Sequence, residues 1–191
     1  EQREQQRQAA TAATALSENR ELLENDPNAA VLGNPEGDVT VVEFFDYNCP
    51  YCRNVKPHIE ALLEEDPNVR LVFREWPILG DGSVFAARAA LAARKQGKYE
   101  QFHWALMGMA GRAEEASVLQ VADQVGLDIP QLRRDMQAPE IDAHIAASMK
   151  LSSALGFNGT PSFVIGDALV PGVIEADQML RLAEEARASR Q

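Results

Sequence analysis

Only two cysteines occur in the 191 residues, and they stand together as Cys49-Pro50-Tyr51-Cys52. So few exclude a disulfide framework. A structural zinc site would need two further ligands at matching spacing, and the three histidines, His58, His103 and His144, form no ligand-spaced pair. Basic residues are also scarce, 18 Lys and Arg against 29 Asp and Glu, for a net charge of -11. A surface of that sign argues against nucleic acid or an anionic membrane as the main partner. Long apolar runs are missing as well. The best stretches, 39–45 and 84–93, are short or interrupted by Glu43 and Arg88, whereas a transmembrane helix needs about 18 apolar residues. The chain opens at Glu1 with neither a start methionine nor an apolar signal core, which we expect of a processed or trimmed chain.

What is present reads as one α/β domain with an N-terminal appendage. Residues 1–26 are rich in Ala, Glu, Gln and Arg, contain no Gly or Pro, and predict a helix. Its apolar stripe is thin, with Ala9, Leu16 and Leu23 recurring every seven residues and Ala12 between. That suits either a lightly docked helix or a weak coiled-coil-like oligomerisation stem. Asp26-Pro27-Asn28 ends it, and a turn-rich connector runs from Gly33 to Asp38. Residues 39–45 are apolar at nearly every position, the pattern of a central strand in a largely parallel sheet covered on both faces. An amphipathic helix follows, with Val55, Ile59, Leu62 and Leu63 on one side and Pro57 expected to kink it. Residues 69–73 read as a second strand, completing a βαβ unit. From 83 to about 155 the pattern is helical, in segments 84–95, 99–107, 116–125 and 141–155. Residues 162–165 and 169–170 then read as short paired strands, and 175–187 as a closing helix.

The chemistry lies in the C-x-x-C. Zinc lacks ligands, and two inert thiols belong inside an element, not at a strand-to-helix turn. A redox pair fits this context. At the start of a helix, unsatisfied N–H groups and the positive end of the dipole stabilise a thiolate. Cys49 is therefore the expected nucleophile and the more exposed of the two. Cys52, one turn on, would resolve a mixed disulfide. Pro50 suits the first turn because its missing N–H would be unpaired anyway. Two thiolates are also soft ligands for copper(I), so a copper-binding protein is a reading of a different class. Met107-Gly108-Met109 reads as a soft-metal patch or an inter-helix loop. His58 reads as a surface helix residue, and His103 and Trp104 as packing within the helical segment.

Further positions carry a resemblance. Val41-Val42-Glu43-Phe44-Phe45 followed by Cys49-Pro50-Tyr51-Cys52 resembles the DsbA-like branch of the thioredoxin superfamily. Glu43 matches the buried acid under that family's active site, Pro57 its helix-kinking proline, and Thr160-Pro161 its cis-proline loop facing the cysteines. The resemblance covers about 29–188, with the helical segment at about 83–155 standing for the family's inserted helical domain. It implies a thioredoxin fold and thiol–disulfide exchange through Cys49 and Cys52, with no cofactor beyond their own redox-active disulfide. It also implies roles for Glu43, Thr160 and Pro161. Read plainly, Glu43 would reach solvent at a sheet edge and Pro161 would simply start a strand. Glutaredoxins also carry C-P-Y-C, but they lack an insertion large enough to place the proline 109 positions after the second cysteine, as Pro161 is after Cys52.

Within the branch, the superfamily's disulfide isomerases carry Thr before the cis-proline, whereas the strong oxidase DsbA carries Val. The Gly33–Asp38 connector, the Asp46-Tyr47-Asn48 lead-in and the N-terminal helix are most similar to the copper-sensitivity-suppressor group. The resemblance implies a periplasmic protein that acts on disulfide-bonded or misfolded clients and is reduced by a membrane-bound partner. It favours an isomerase, trimeric through residues 1–26, over a monomeric oxidase. Copper(I) at Cys49 and Cys52 remains the other expectation.

Overall fold

The computed structural model describes residues 1–190. Helix α1 spans Gln2–Asn25, and strand β1 (Ala30–Gly33) follows a short turn. Central strand β2 (Val39–Phe45) is buried at every position. Helix α2 (Pro50–Glu65) continues across Pro57, and β3 runs from Val69 to Glu75. Helices α3 (Asp81–Ala93), α4 (Tyr99–Gly108), α5 (Glu115–Gln124), α6 (Ile129–Asp135) and α7 (Pro139–Ala154) come next. A hairpin of β4 (Ser162–Ile165) and β5 (Ala168–Pro171) precedes α8 (Ala176–Ala188).

The five strands lie in the order β1-β3-β2-β4-β5. Only β2 and β3 run parallel; β1–β3, β2–β4 and β4–β5 are antiparallel. The sheet is thus mixed where the apolar run of β2 predicted a largely parallel one. Such a run reports burial on both faces, which the neighbours of β2 supply whatever their direction. Two short elements had no forecast. β1 is an edge strand of four residues, and α6 is a helix of seven capped by Asp128 and carrying Pro130 in its first turn.

Strand alternation divides the core. Val39, Val41 and Phe45 face one side, packing with Val55, Ile59 and Leu62 of α2 and with Met179 and Ala183 of α8. Val42 and Phe44 face the other, where Leu16 and Leu23 of α1 meet Leu151 of α7 and Leu155 just beyond it. The inner part of α1 therefore belongs to its own domain. Arg74 of β3, fully buried, fastens it by pairing with Asp26 at 2.5 Å and donating to Ser148 Oγ at 3.1 Å and the His144 carbonyl at 3.1 Å. Residues 1–14 are exposed except for Ala12, which is half-buried.

Candidate active site

Cys49 is the residue before the first turn of α2, with Pro50 at the helix start. Its Sγ lies 3.3 Å from the Thr160 carbonyl, to which the thiol donates. The Thr160–Pro161 peptide bond is cis. The structure therefore brings Cys49, Cys52, Thr160 and Pro161 together although 111 positions separate Cys49 from Thr160. Both cysteines are free thiols. Cys49 is better covered than its place at a helix start predicts, keeping 5 % of its surface against 1 % for Cys52. The 160–161 loop lying over the sulfur accounts for that. Pro50 is exposed, and Tyr51, 63 % exposed, stands beside the pair on the outside.

The two thiols are electrostatically opposite. Hydrogen bonding from the Cys52 thiol pulls Cys49 down to about 6, working against burial, and the Thr160 side chain and the backbone N–H groups of Cys52 and Tyr51 add to it. Cys52 is pushed far up, first by burial, then by its bond to Cys49 and by the nearby Glu43 carboxyl. One thiol thus ionises readily and the other holds its proton.

Glu43 sits on β2, on the α2 side of the sheet by alternation with Val41 and Phe45. It is 1 % exposed, and neither carboxylate oxygen has a hydrogen-bond partner. Burial, with a contribution from Cys49, raises its pKa well above the ordinary carboxylate value. An unpartnered carboxyl beside Cys52 gives a proton in its favoured neutral form and takes one back once ionised. Edge exposure is excluded because β2 is flanked by β3 and β4.

Three residues ahead of Cys49 are held as firmly as the motif itself. Asp46 accepts from the backbone N–H groups of Ile78 at 2.8 Å and Leu79 at 3.0 Å, and from Ser83 Oγ at 2.8 Å. Asn48 bonds the Ala113 backbone through both its oxygen and its nitrogen, at 2.7 and 3.0 Å. Tyr47 reaches inward to Glu75 and His103. Arg53, next after Cys52, donates to the carbonyls of Tyr47, Met109 and Gly111. Sequence reasoning singled out the lead-in only as a resemblance and missed Glu75 and Arg53 altogether. Their partners are far away in sequence, so no local spacing marks them.

The remaining candidates disperse. His58 is half-buried on α2, its Nδ1 3.4 Å from the Ala176 N–H. Met107 is buried in the core and Met109 packs against it. Among the described residues no group of three or more His, Cys, Asp or Glu is arranged to hold a metal ion. Two sulfurs suit copper(I) by donor type, but binding there must first expel the Cys52 proton. No helix is long and apolar enough to cross a membrane among the described residues.

This geometry has counterparts. A thioredoxin-like oxidoreductase from Silicibacter pomeroyi is 68 % identical, with a TM-score of 0.88 over 89 % of this chain and 98 % of that one. The catalytic domain of Proteus mirabilis ScsC is 28 % identical, with a TM-score of 0.83 over 92 % of this chain and 98 % of that one. Among curated proteins, the Na(+)/H(+) antiporter NhaA 3 of Salinispora tropica is 30 % identical over 167 residues, 81 % of this chain but 26 % of the antiporter. The chain thus spans about a quarter of the length of the curated relatives it matches. The model of the DSBA-like thioredoxin domain matches residues 40–184, which takes in Glu43, both cysteines and Thr160-Pro161. The chain belongs to the DsbA-like thioredoxin family, with the fold of a thiol–disulfide oxidoreductase.

Proposed function

We propose that this chain exchanges disulfides with protein clients through Cys49 and Cys52, and that it works chiefly as a protein disulfide isomerase. The observation that carries the exchange reading is the opposed pair of thiols: Cys49 lowered to about 6 beneath the Thr160 carbonyl, Cys52 held protonated over Glu43. The Cys49 thiolate attacks one sulfur of a client disulfide. The client S–S bond breaks, a client thiolate leaves, and Cys49 is joined to the client. If the freed client thiolate then forms a different client bond and Cys49 is expelled, the client is rearranged with no net oxidation. If instead Cys52 attacks Cys49, its proton passes to Glu43 in the carboxyl's ionised form, the client leaves reduced, and the pair becomes a disulfide.

The preference for isomerisation rests on two supports. A Cys49 near 6 lies closer to thioredoxin, at about 7, than to the strong oxidant DsbA, at about 3.5. A less stabilised thiolate makes a weaker oxidant. Thr160 is also the residue type that superfamily isomerases carry at this place. The reading implies the bacterial periplasm, where client disulfides persist, a membrane-bound partner that keeps the pair reduced, and a homotrimer joined through the uncovered start of α1. Refolding of a scrambled-disulfide protein, run beside oxidation of a reduced one, tests it. Faster rescue of the scrambled substrate than oxidation of the reduced one is expected; the reverse order makes the chain an oxidase. Copper(I) competition on the same reduced sample tests the other reading, which requires one ion per chain, released on oxidation.

A further inference from the structure

We propose that Glu75 is a positioning residue for the cysteine pair, acting through Tyr47 to hold the segment that carries Cys49. The inference rests on the reading of Cys49 as the nucleophile. Tyr47 lies two residues before Cys49 and is held at both ends. Its carbonyl accepts from Arg53 Nε at 3.0 Å, and its hydroxyl donates to Glu75 Oε1 at 3.1 Å. Glu75 ends β3, in register with Phe45 of β2, and is 1 % exposed. The same oxygen accepts the Tyr99 hydroxyl of α4 at 2.8 Å, and the Glu75 N–H donates to His144 Nε2 of α7 at 3.0 Å. One residue thus ties the lead-in to a strand and to two helices, to α4 through its side chain and to α7 through its backbone N–H.

With the Tyr47 hydroxyl donating its single proton to Glu75, the His103 tautomer that completes the set carries its proton on Nδ1, 2.8 Å away, and donates to the Tyr47 oxygen. Burial keeps His103 neutral, with its pKa down to about 3, so no imidazolium charge arises beside the Tyr47 hydroxyl in the working pH range. Burial likewise favours the neutral carboxyl of Glu75; the Tyr99 and Tyr47 hydroxyls oppose it, Asp46 and Glu43 push with it, and burial prevails. The groups facing it are Tyr47 and Asp46 from the lead-in, Glu43 from β2, Tyr99 and His103 from α4, and His144 from α7; Arg74 is its neighbour on β3. A neutral carboxyl accepts both tyrosine hydroxyls on its carbonyl oxygen. Gln reproduces that oxygen, whereas Ala removes it.

The purpose of such anchoring follows from what lowers Cys49. Its thiolate depends on donors at Cys52, Tyr51 and Thr160 meeting one sulfur. A lead-in free to shift would lose that alignment and let the thiol drift toward its ordinary value.

The experiment compares Tyr47→Phe, Glu75→Gln and Glu75→Ala in the full chain, with Leu23→Ala on the opposite face of the sheet as a control for general softening. Two quantities are read: the pH profile of Cys49 alkylation and the equilibrium constant with glutathione. Glu75→Gln should match wild type. Tyr47→Phe and Glu75→Ala should move the alkylation midpoint upward by about half a pH unit or more, slowing the reaction at pH 6 about twofold or more. The glutathione equilibrium should move in the same direction, toward a less oxidising pair. Leu23→Ala should lower stability and leave both readouts in place. If Glu75→Ala does not fold, Tyr47→Phe decides, since it removes one oxygen only. An unchanged profile in Tyr47→Phe, an equal shift in Leu23→Ala, or a shift in Glu75→Gln would overturn the proposal. A wild-type chain with no fast-reacting thiol near pH 6 would instead remove the reading of Cys49 on which it rests.

Discussion

At the scale of single residues, the site is a set of neighbours that push one another's protons apart. Cys49 and Cys52 share a hydrogen bond, which stabilises one thiolate and opposes the other. Thr160 contributes to the first effect through its side chain, whereas its carbonyl accepts from the protonated thiol, and the two separate by substitution. Thr160→Val keeps the carbonyl and the shape but loses the hydroxyl, so the Cys49 pKa should rise from about 6; thiolate absorbance against pH checks this. Glu43→Gln keeps the volume and loses the proton exchange. The step in which Cys52 attacks a mixed disulfide should then slow, by about a hundredfold if the carboxyl is its general base. Stability should move the other way. Native Glu43 keeps a proton that the unfolded chain releases above its ordinary value of 4.5, so wild type loses stability as pH rises from there. The gain in melting temperature of Glu43→Gln should therefore be absent at pH 4 and grow toward neutrality. Glu43 was legible only through the family resemblance, because a lone carboxylate in an apolar strand reads equally as a residue reaching solvent at a sheet edge. Glu75 was not, because a carboxylate at a strand end ordinarily meets solvent and only the fold brings Tyr47 and Tyr99 to it.

At the scale of elements, helix α1 divides into a docked half and a free one. Leu16 and Leu23 enter the core, Arg20 reaches the Gly166 carbonyl and Asp167, and Asp26 pairs with buried Arg74. Deleting residues 1–26 removes all of this at once. Loss of the Leu23 side chain alone costs about 2–5 kcal/mol. An Arg74 left buried without Asp26 costs about 3–5 kcal/mol more. Since a domain is stable by only about 5–15 kcal/mol, that truncation should unfold or nearly unfold the chain. Deleting residues 1–14 should leave the urea midpoint within error of wild type. The seven-residue recurrence of Ala9, Leu16 and Leu23 was visible in the sequence, but a stripe so thin does not say what it packs against. The long elements were legible for physical reasons: β2 is apolar throughout, α2 has a clear apolar side, and Pro or Gly separates the helices between β3 and β4. β1 was not, since four residues beside a turn carry no period. Strand direction was not either, because burial on both faces looks the same in a mixed sheet.

At the scale of the whole molecule, the free half of α1 poses the remaining physical problem. Thirteen or so residues of undocked helix, even Ala-rich, are marginal in water. They project about 20 Å beyond the docked part at 1.5 Å per residue. Their apolar surface is mostly Ala9, Ala10, Ala12 and Ala13, small enough to let helices approach closely but too small to hold them strongly. Such a segment gains most by packing against copies of itself, and joining catalytic domains raises the effective concentration of Cys49 around one client. The predicted assembly is therefore weak and concentration-dependent, with residues 2–14 as its seam and the docked half of α1 as its rigid base. Removing residues 1–14 should give a monomer at all concentrations. Because Glu43, Cys49, Cys52 and Thr160 lie outside the deleted part, that monomer should oxidise small dithiols at the wild-type rate. Its rescue of a scrambled protein should fall severalfold, since a client released after one attack would no longer meet a second site. Light scattering and the scrambled-substrate assay on this truncation check both halves. A full chain that is already monomeric, and as active on scrambled protein as its truncation, would place the whole activity in one catalytic domain and remove the stem from the mechanism.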